Sequence, residues 1–170
     1  MITWIIGLSG SGKSTLAKEV VKEIRQKKSN IILIDGDEFR EIFDNDLGYS
    51  IEDRKKNAMR IAGFCKFCEE QNINVVCAIL SIFSETREWN RKNFLNYFEV
   101  FIDTPISELK KRNNKKLYEN FEQNKVSNVV GLDIKFEKPT DADLIIKNDK
   151  SRELLLSFAK IISDKTILEK

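Results

Sequence analysis

A chain of 170 residues has the length of one domain and is long enough to bury a core of its own. Its 29 basic and 27 acidic residues leave a formal charge of only +2, a balance that gives no reason to expect nucleic acid or a membrane surface as partner. Histidine is absent, so carboxylates, lysine, arginine and a divalent cation are left to carry any acid–base or metal chemistry.

Taken in chain order, Ile2 to Ile6 predicts a strand and Thr15 to Lys28 a helix. Between them stands Gly7-Leu8-Ser9-Gly10-Ser11-Gly12-Lys13-Ser14, the Gly-x-x-x-x-Gly-Lys-Ser spacing of a phosphate-binding loop in its proper strand-loop-helix context. Glycines let successive backbone N–H groups point at phosphates, and the helix N-terminus adds partial positive charge. The expected ATP contacts are therefore Gly7, Ser9, Gly10, Ser11, Gly12, Lys13, Ser14 and Thr15. Lys13 is expected to reach the β- and γ-phosphates and Ser14 to ligate Mg²⁺. The loop has to be retained for function, which argues against reading the N-terminus as a cleaved leader.

Ile31 to Ile34 predicts a second strand, ending in Asp35-Gly36-Asp37. Asp37 is the candidate catalytic carboxylate, either holding magnesium through water or taking the proton of an attacking hydroxyl. Asp35 is expected to be its structural partner. A helix is predicted over Ile51 to Gln71, capped by Ser50 and with Ala58, Met59, Ala62 and Phe67 as its apolar residues. Cys65 and Cys68 have CxxC spacing, but they lie inside this helical pattern without further ligands, and Cys77 lies in an apolar run. All three are expected to be core residues in a reducing cytoplasm.

Ile73 to Leu80 predicts a buried strand, Glu85 to Leu95 a helix and Phe98 to Ile102 a strand. Thr104-Pro105 opens a further helix. Leu144 to Ile146 is the last predicted strand and Arg152 to Ile162 the closing helix. This alternation predicts an α/β fold with a parallel sheet covered by helices on both faces, in a single domain over residues 1–170. The polar segment from Arg112 to Lys138 is long for a connection and is expected to act as a lid or substrate loop. No apolar run approaches the roughly 20 residues that span a bilayer.

Ligand sites in such folds lie beyond the C-terminal strand ends, and there the motifs collect. Gly7 to Ser14, Asp35 and Asp37, Ser81, and Asp103 follow or end successive strands. Asp53, Asn57 and Arg60 share one helical face with Arg54 at its border, and Arg40 precedes them. Arginines facing a phosphate loop suit an acceptor that is itself anionic, although surface charges could be arranged the same way. Lys110, Lys111, Arg112, Lys115 and Lys116 form a basic run that is either a solvated face or a cover for the transferring group.

Together these motifs resemble the adenylylsulfate kinase family. The resemblance runs from Trp4 nearly to Asn148 through the phosphate loop, Asp35-Gly36-Asp37 with Arg40, and Leu47-Gly48-Tyr49-Ser50 followed by Glu52-Asp53-Arg54, Asn57 and Arg60. It continues through Phe98 to Pro105, Lys115-x-Leu117-Tyr118, Gly131-Leu132-Asp133 and Phe136 to Pro139. What it implies is a P-loop nucleoside triphosphate hydrolase fold, ATP and Mg²⁺, a homodimer, and phosphoryl transfer to the ribose 3′-hydroxyl of adenylyl sulfate. On the same grounds Asp37, Lys13 and Lys115 are the expected catalytic groups. Arg40, Tyr49, Arg54, Asn57, Leu80, Ser81, Lys115 and Val129 are the expected acceptor contacts, with Tyr49 stacking on the acceptor base.

The departures fall on the acceptor side. The family's Ile-Ser-Pro-Tyr-Arg stands here as Leu80-Ser81-Ile82-Phe83-Ser84, its Arg-Asp-x-Lys-Gly-Leu-Tyr as Arg112 to Tyr118, and its Gly-Phe-Thr-Gly-Ile-Asp as Asn128-Val129-Val130-Gly131-Leu132-Asp133. Val129 thus replaces the second aromatic of the sandwich that grips adenine. The resemblance extends to relatives in bacterial capsule modification that phosphorylate cytidine diphosphoramidate, whose smaller base needs less stacking area. That acceptor is the first expectation, adenylyl sulfate the second, and a non-catalytic nucleotide-binding module the alternative of another class.

Overall fold

The run Ile2-Thr3-Trp4-Ile5-Ile6 is buried at every position, as a strand covered on both faces must be. It forms β1 (Ile2–Ile6) at the centre of a five-stranded sheet with β2 (Ile31–Asp35), β3 (Asn74–Ile79), β4 (Tyr97–Asp103) and β5 (Leu144–Lys147). All neighbours run parallel, in the order β2-β3-β1-β4-β5. The computed structural model describes residues 1–27, 30–112 and 116–167.

Pleat alternation divides the core in two. Ile5 points to one face, where Val76, Ala78, Val100 and Ile102 meet Leu16, Ala17, Val20 and Ile24 of α1 (Lys13–Arg25) and Leu155, Ala159 and Ile162 of α7 (Arg152–Ile167). Ile2, Trp4 and Ile6 point to the other, with Val75 and Cys77, against α3 (Ile51–Glu70). α3 turns Ala58, Ile61, Ala62, Cys65 and Cys68 inward. The expected face is corrected here: Met59 is exposed and Phe67 is 59% exposed, because the buried stripe is made mostly of smaller side chains that allow close approach to the sheet. Cys65, Cys68 and Cys77 are free and buried, and burial raises the Cys77 thiol well above its ordinary value.

Caps and turns place the strand ends. Ser50 accepts from the Asp53 N–H at 3.1 Å, starting α3 where the sequence predicts. Asp35 accepts from the Asp37 N–H at 3.0 Å and caps α2 (Gly36–Glu41), a short helix to which the sequence pattern assigns no element. α4 (Ser84–Asn93) and α5 (Ile106–Arg112) occupy their expected places. The segment from Arg112 to Lys138 is not a structureless connection. It contains α6 (Leu117–Glu122), and Tyr118, Val129 and Val130 pack with Leu8 and Leu109 in a third, smaller cluster. After β3 the chain crosses to the other side of β1, and the phosphate-type loop emerges at that reversal.

Gly12 ends the loop at φ +96°, and a Cβ there would lie 2.5 Å from Leu155 Cδ2. Gly12→Ala is therefore expected to destabilise the fold by about 1–2 kcal/mol from the left-handed backbone alone, more if α7 has to move. Urea unfolding monitored by circular dichroism checks this, and an unchanged midpoint would refute it.

Candidate active site

The site grows from the C-terminal end of β1. Lys13 is the first residue of α1, and its Nζ donates to Leu8 O at 2.9 Å across the loop. The Ser11 N–H donates to the same carbonyl at 3.1 Å. Two side chains from distant parts of the chain bind other loop carbonyls: the Tyr118 hydroxyl donates to Ser9 O at 2.9 Å and Asn148 Nδ2 to Ser11 O at 2.8 Å. Engaging these oxygens lowers the negative potential the loop presents to an anion. Burial pushes the Tyr118 phenol up to about 12, so it stays a donor.

A cavity of about 680 Å³ opens beside the loop. Ser9, Gly10, Gly12, Lys13, Ser14 and Thr15 form one wall, and Asp35, Asp37, Leu80 and Ser81 line it from the ends of β2 and β3. Arg40, Tyr49, Arg54 and Asn57 form the facing wall, and the stretch from Val126 to Val130 closes one side. Two expected nucleotide contacts lie behind this surface. A Cβ on Gly7 would sit 2.9 Å from Ile102 O, and Ser11 is completely buried with its hydroxyl unpartnered. Close packing beneath the loop explains why these positions shape it rather than face the cavity. Lys115 lies outside the described residues.

The carboxylates follow the strand order. Ser14 Oγ donates to Asp35 Oδ2 in a short hydrogen bond, so Asp35 serves both the α2 cap and the phosphate-loop serine. Asp37 stands on the first turn of α2 and lines the same cavity. A hydroxyl with two nearby carboxylates is a hard oxygen donor set suited to magnesium. Among the described residues no cluster of three His, Cys, Asp or Glu could hold a metal by itself.

Opposite lies a concentration of positive charge. Arg40 is buried and donates through Nη1 to the carbonyls of Leu47 and Gly48, at 3.1 and 3.0 Å. Arg54 donates to Tyr49 O at 3.0 Å and Asn128 O at 2.8 Å. Both guanidiniums also lie over the Tyr49 ring, 4.9 and 5.3 Å from its centroid. Burial and then the adjacent Arg40 lower the Arg54 pKa from the ordinary arginine value, yet arginine keeps its charge. Two cations held mainly by carbonyls favour an anionic ligand. Buried Asn57 adds a carbonyl oxygen with no partner at the cavity wall.

Other expected groups are placed elsewhere. Arg60 pairs with both oxygens of Asp46, at 2.9 and 2.8 Å, away from the cavity. In the basic run, Lys110 pairs with Glu122 at 2.7 Å, while Arg112 pairs with Glu108 at 3.2 Å and donates to Asn148 O. These described cations are answered by carboxylates on α5 and α6 rather than aimed at the loop. Val129 lines the cavity with only 3% of its surface exposed. It is held by Asp133, whose carboxylate accepts from the Asn128 and Val129 N–H groups at 2.7 and 2.5 Å.

Comparison with known proteins agrees with this geometry. The family model described as adenylylsulphate kinase matches residues 1–147. The chain is 40% identical over 147 residues to the cytidine diphosphoramidate kinase of Campylobacter jejuni, covering 86% of this chain and 85% of that protein. It is 37% identical over 164 residues to the adenylyl-sulfate kinase of Pseudomonas aeruginosa, covering 95% and 83%. The solved Mycobacterium tuberculosis APS kinase CysC, in complex with AMPPNP and APS, superposes with a TM-score of 0.86 at 29% identity over 96% of this chain and 95% of that one. With the loop, the carboxylates and the arginine wall in one cavity, the chain belongs to the adenylylsulphate kinase family and is an ATP-dependent kinase.

Proposed function

We propose that this kinase transfers the γ-phosphoryl group of ATP to the ribose 3′-hydroxyl of cytidine diphosphoramidate, in capsule modification. The observation that carries this reading is Val129, a small aliphatic side chain in the cavity wall where the family has the phenylalanine that sandwiches adenine. Tyr49 supplies an aromatic face for the acceptor base, and Phe83 is the other aromatic ring in the described cavity lining. Losing a stacking partner costs on the order of 1–3 kcal/mol per base, a loss less serious for a pyrimidine of smaller area. The similarity to a protein named cytidine diphosphoramidate kinase supports the same acceptor. Adenylyl sulfate is the second reading, supported by the adenylyl-sulfate kinase that matches more of this chain.

In this reading Lys13 stabilises charge on the transferring group and Asp37 orients the acceptor hydroxyl or takes its proton. Arg40, Arg54, Asn57 and Lys115 hold the anionic tail. Magnesium, held by Ser14 with Asp35 and Asp37 directly or through water, would supply charge neutralisation between the β- and γ-phosphates. A single catalytic domain, a homodimer and a cytoplasmic setting belong to the same proposal. ATP as donor and three buried free thiols support that setting.

The test offers purified protein Mg-ATP with cytidine diphosphoramidate and adenylyl sulfate in parallel, products being resolved by mass. The expected result is a higher kcat/KM for the cytidine acceptor. Val129→Phe should shift the preference toward adenine about tenfold if roughly 1.4 kcal/mol of stacking is restored. The interior beside Val129 is filled by Leu8, Leu109 and Tyr118, so the added ring has to turn toward the cavity. A higher wild-type kcat/KM for adenylyl sulfate would overturn the cytidine reading and leave the kinase assignment standing.

A further inference from the structure

We propose that Trp4 and Arg87 are positioning residues for the acceptor, acting through Ser81 on the cavity wall after β3. This rests on the reading above, in which Leu80 and Ser81 face the acceptor. Ser81 has φ +47°, a left-handed conformation that costs a non-glycine residue energy and persists only where the surroundings impose it. It is also buried and lines the cavity. Strain at a cavity wall requires fixtures, and two are present.

The first is Trp4, wholly buried on β1 three positions before Gly7. Its indole Nε1 donates to Ser81 Oγ at 3.0 Å. The second is Arg87 on α4, whose Nη1 donates to Ser81 O at 3.3 Å. One side chain thus fixes the hydroxyl and the other the carbonyl, so the Ser81 side chain and the peptide group that follows it have little freedom to turn. The neighbours Leu80, Ile82 and Phe83 line the cavity, and their aim depends on that one backbone conformation.

Arg87 is itself anchored at a cost. Its Nε lies 3.7 Å from Glu99 Oε1, and Glu99 on β4 is 0% exposed. Arg91 approaches the same oxygen at 3.7 Å, and the Tyr97 hydroxyl donates to Glu99 Oε2 at 2.7 Å. Burying an ion pair is a poor way to gain stability compared with packing apolar groups in the same volume. What it supplies here is a charge attraction that draws the guanidinium toward β4, with Nε facing Glu99 Oε1, which has no hydrogen-bond partner of its own, and Nη1 left to bind the loop. Trp4 and Arg87 therefore tie the acceptor wall to the strand that carries the phosphate loop and to β4 beyond it.

Two conservative variants separate this role from simple core packing. Trp4→Phe keeps an aromatic ring in the core and removes the indole donor. Arg87→Lys keeps a cation opposite Glu99 but has no second arm for Ser81 O. Each is expected to raise the acceptor KM about tenfold, the scale of one buried hydrogen bond. The ATP KM and kcat should stay within about twofold, and each variant should remain folded by circular dichroism. Wild-type turnover on either acceptor is the reference, so failure of the cytidine reading changes only which acceptor is assayed. An unchanged acceptor KM in folded Trp4→Phe and Arg87→Lys proteins overturns the proposal. So does a parallel rise in the acceptor and ATP KM values, since that marks a merely structural role.

Discussion

Lys13→Ala is expected to abolish phosphoryl transfer to every acceptor while leaving the fold intact. Lys13 opens α1 and spans the loop to Leu8 O, with no part in the hydrophobic core. α1 is anchored instead by Leu16, Ala17, Val20 and Ile24, and alanine is the best helix former. The ammonium is the cation built into the loop itself, where charge on a transferring phosphoryl group is stabilised by groups already in place. Its loss should lower kcat by about 10³-fold or more, with the circular dichroism spectrum and unfolding midpoint close to wild type. More than a tenth of wild-type turnover in this variant would overturn the placement of the transferring phosphate at the loop.

How much of this was legible in the sequence depended on distance along the chain. The phosphate loop and its flanking strand and helix were readable because all their information lies within one contiguous stretch, and the Ser50 cap for the same reason. The Ser14–Asp35 hydrogen bond, 21 positions apart, needed the sheet to bring it together. Asp35 consequently looked like a partner of Asp37 alone. Tyr118 and Asn148 reach the loop carbonyls from 109 and 137 positions away, and no local pattern marks either as a loop support. The run from Lys110 to Lys116 is open to two readings, a solvated face or a cover, because the pairing of Lys110 with Glu122 and of Lys111 and Arg112 with Glu108 depends on how α5 and α6 pack. In α3, apolarity suggested Met59 and Phe67 as inward residues. The helix instead presents Ile61 flanked by alanine and cysteine to the sheet, a mix of one large and several small side chains that a hydrophobic pattern does not resolve.

Asp37→Asn is the second variant expected to have a large effect, and it separates chemistry from binding. Asp37 occupies the first turn of α2, with its N–H held by Asp35, so its backbone position does not depend on its own charge. Its carboxylate lines the cavity between the phosphate loop and the arginine wall, close enough that its charge acts on Arg54. An acceptor hydroxyl entering between those walls arrives beside this group. Asparagine keeps the shape and removes both the charge and the ability to take a proton. The expected outcome is a fall in kcat of roughly 10²-fold or more, with the ATP KM changed far less. Asp35→Asn gives the contrast, since its one carbonyl oxygen can serve the α2 cap or accept from Ser14 Oγ but not both. It should raise the magnesium concentration needed for half-maximal rate. An unchanged kcat in Asp37→Asn with a raised ATP KM would make Asp37 a binding residue and transfer the chemical role to another group in the cavity.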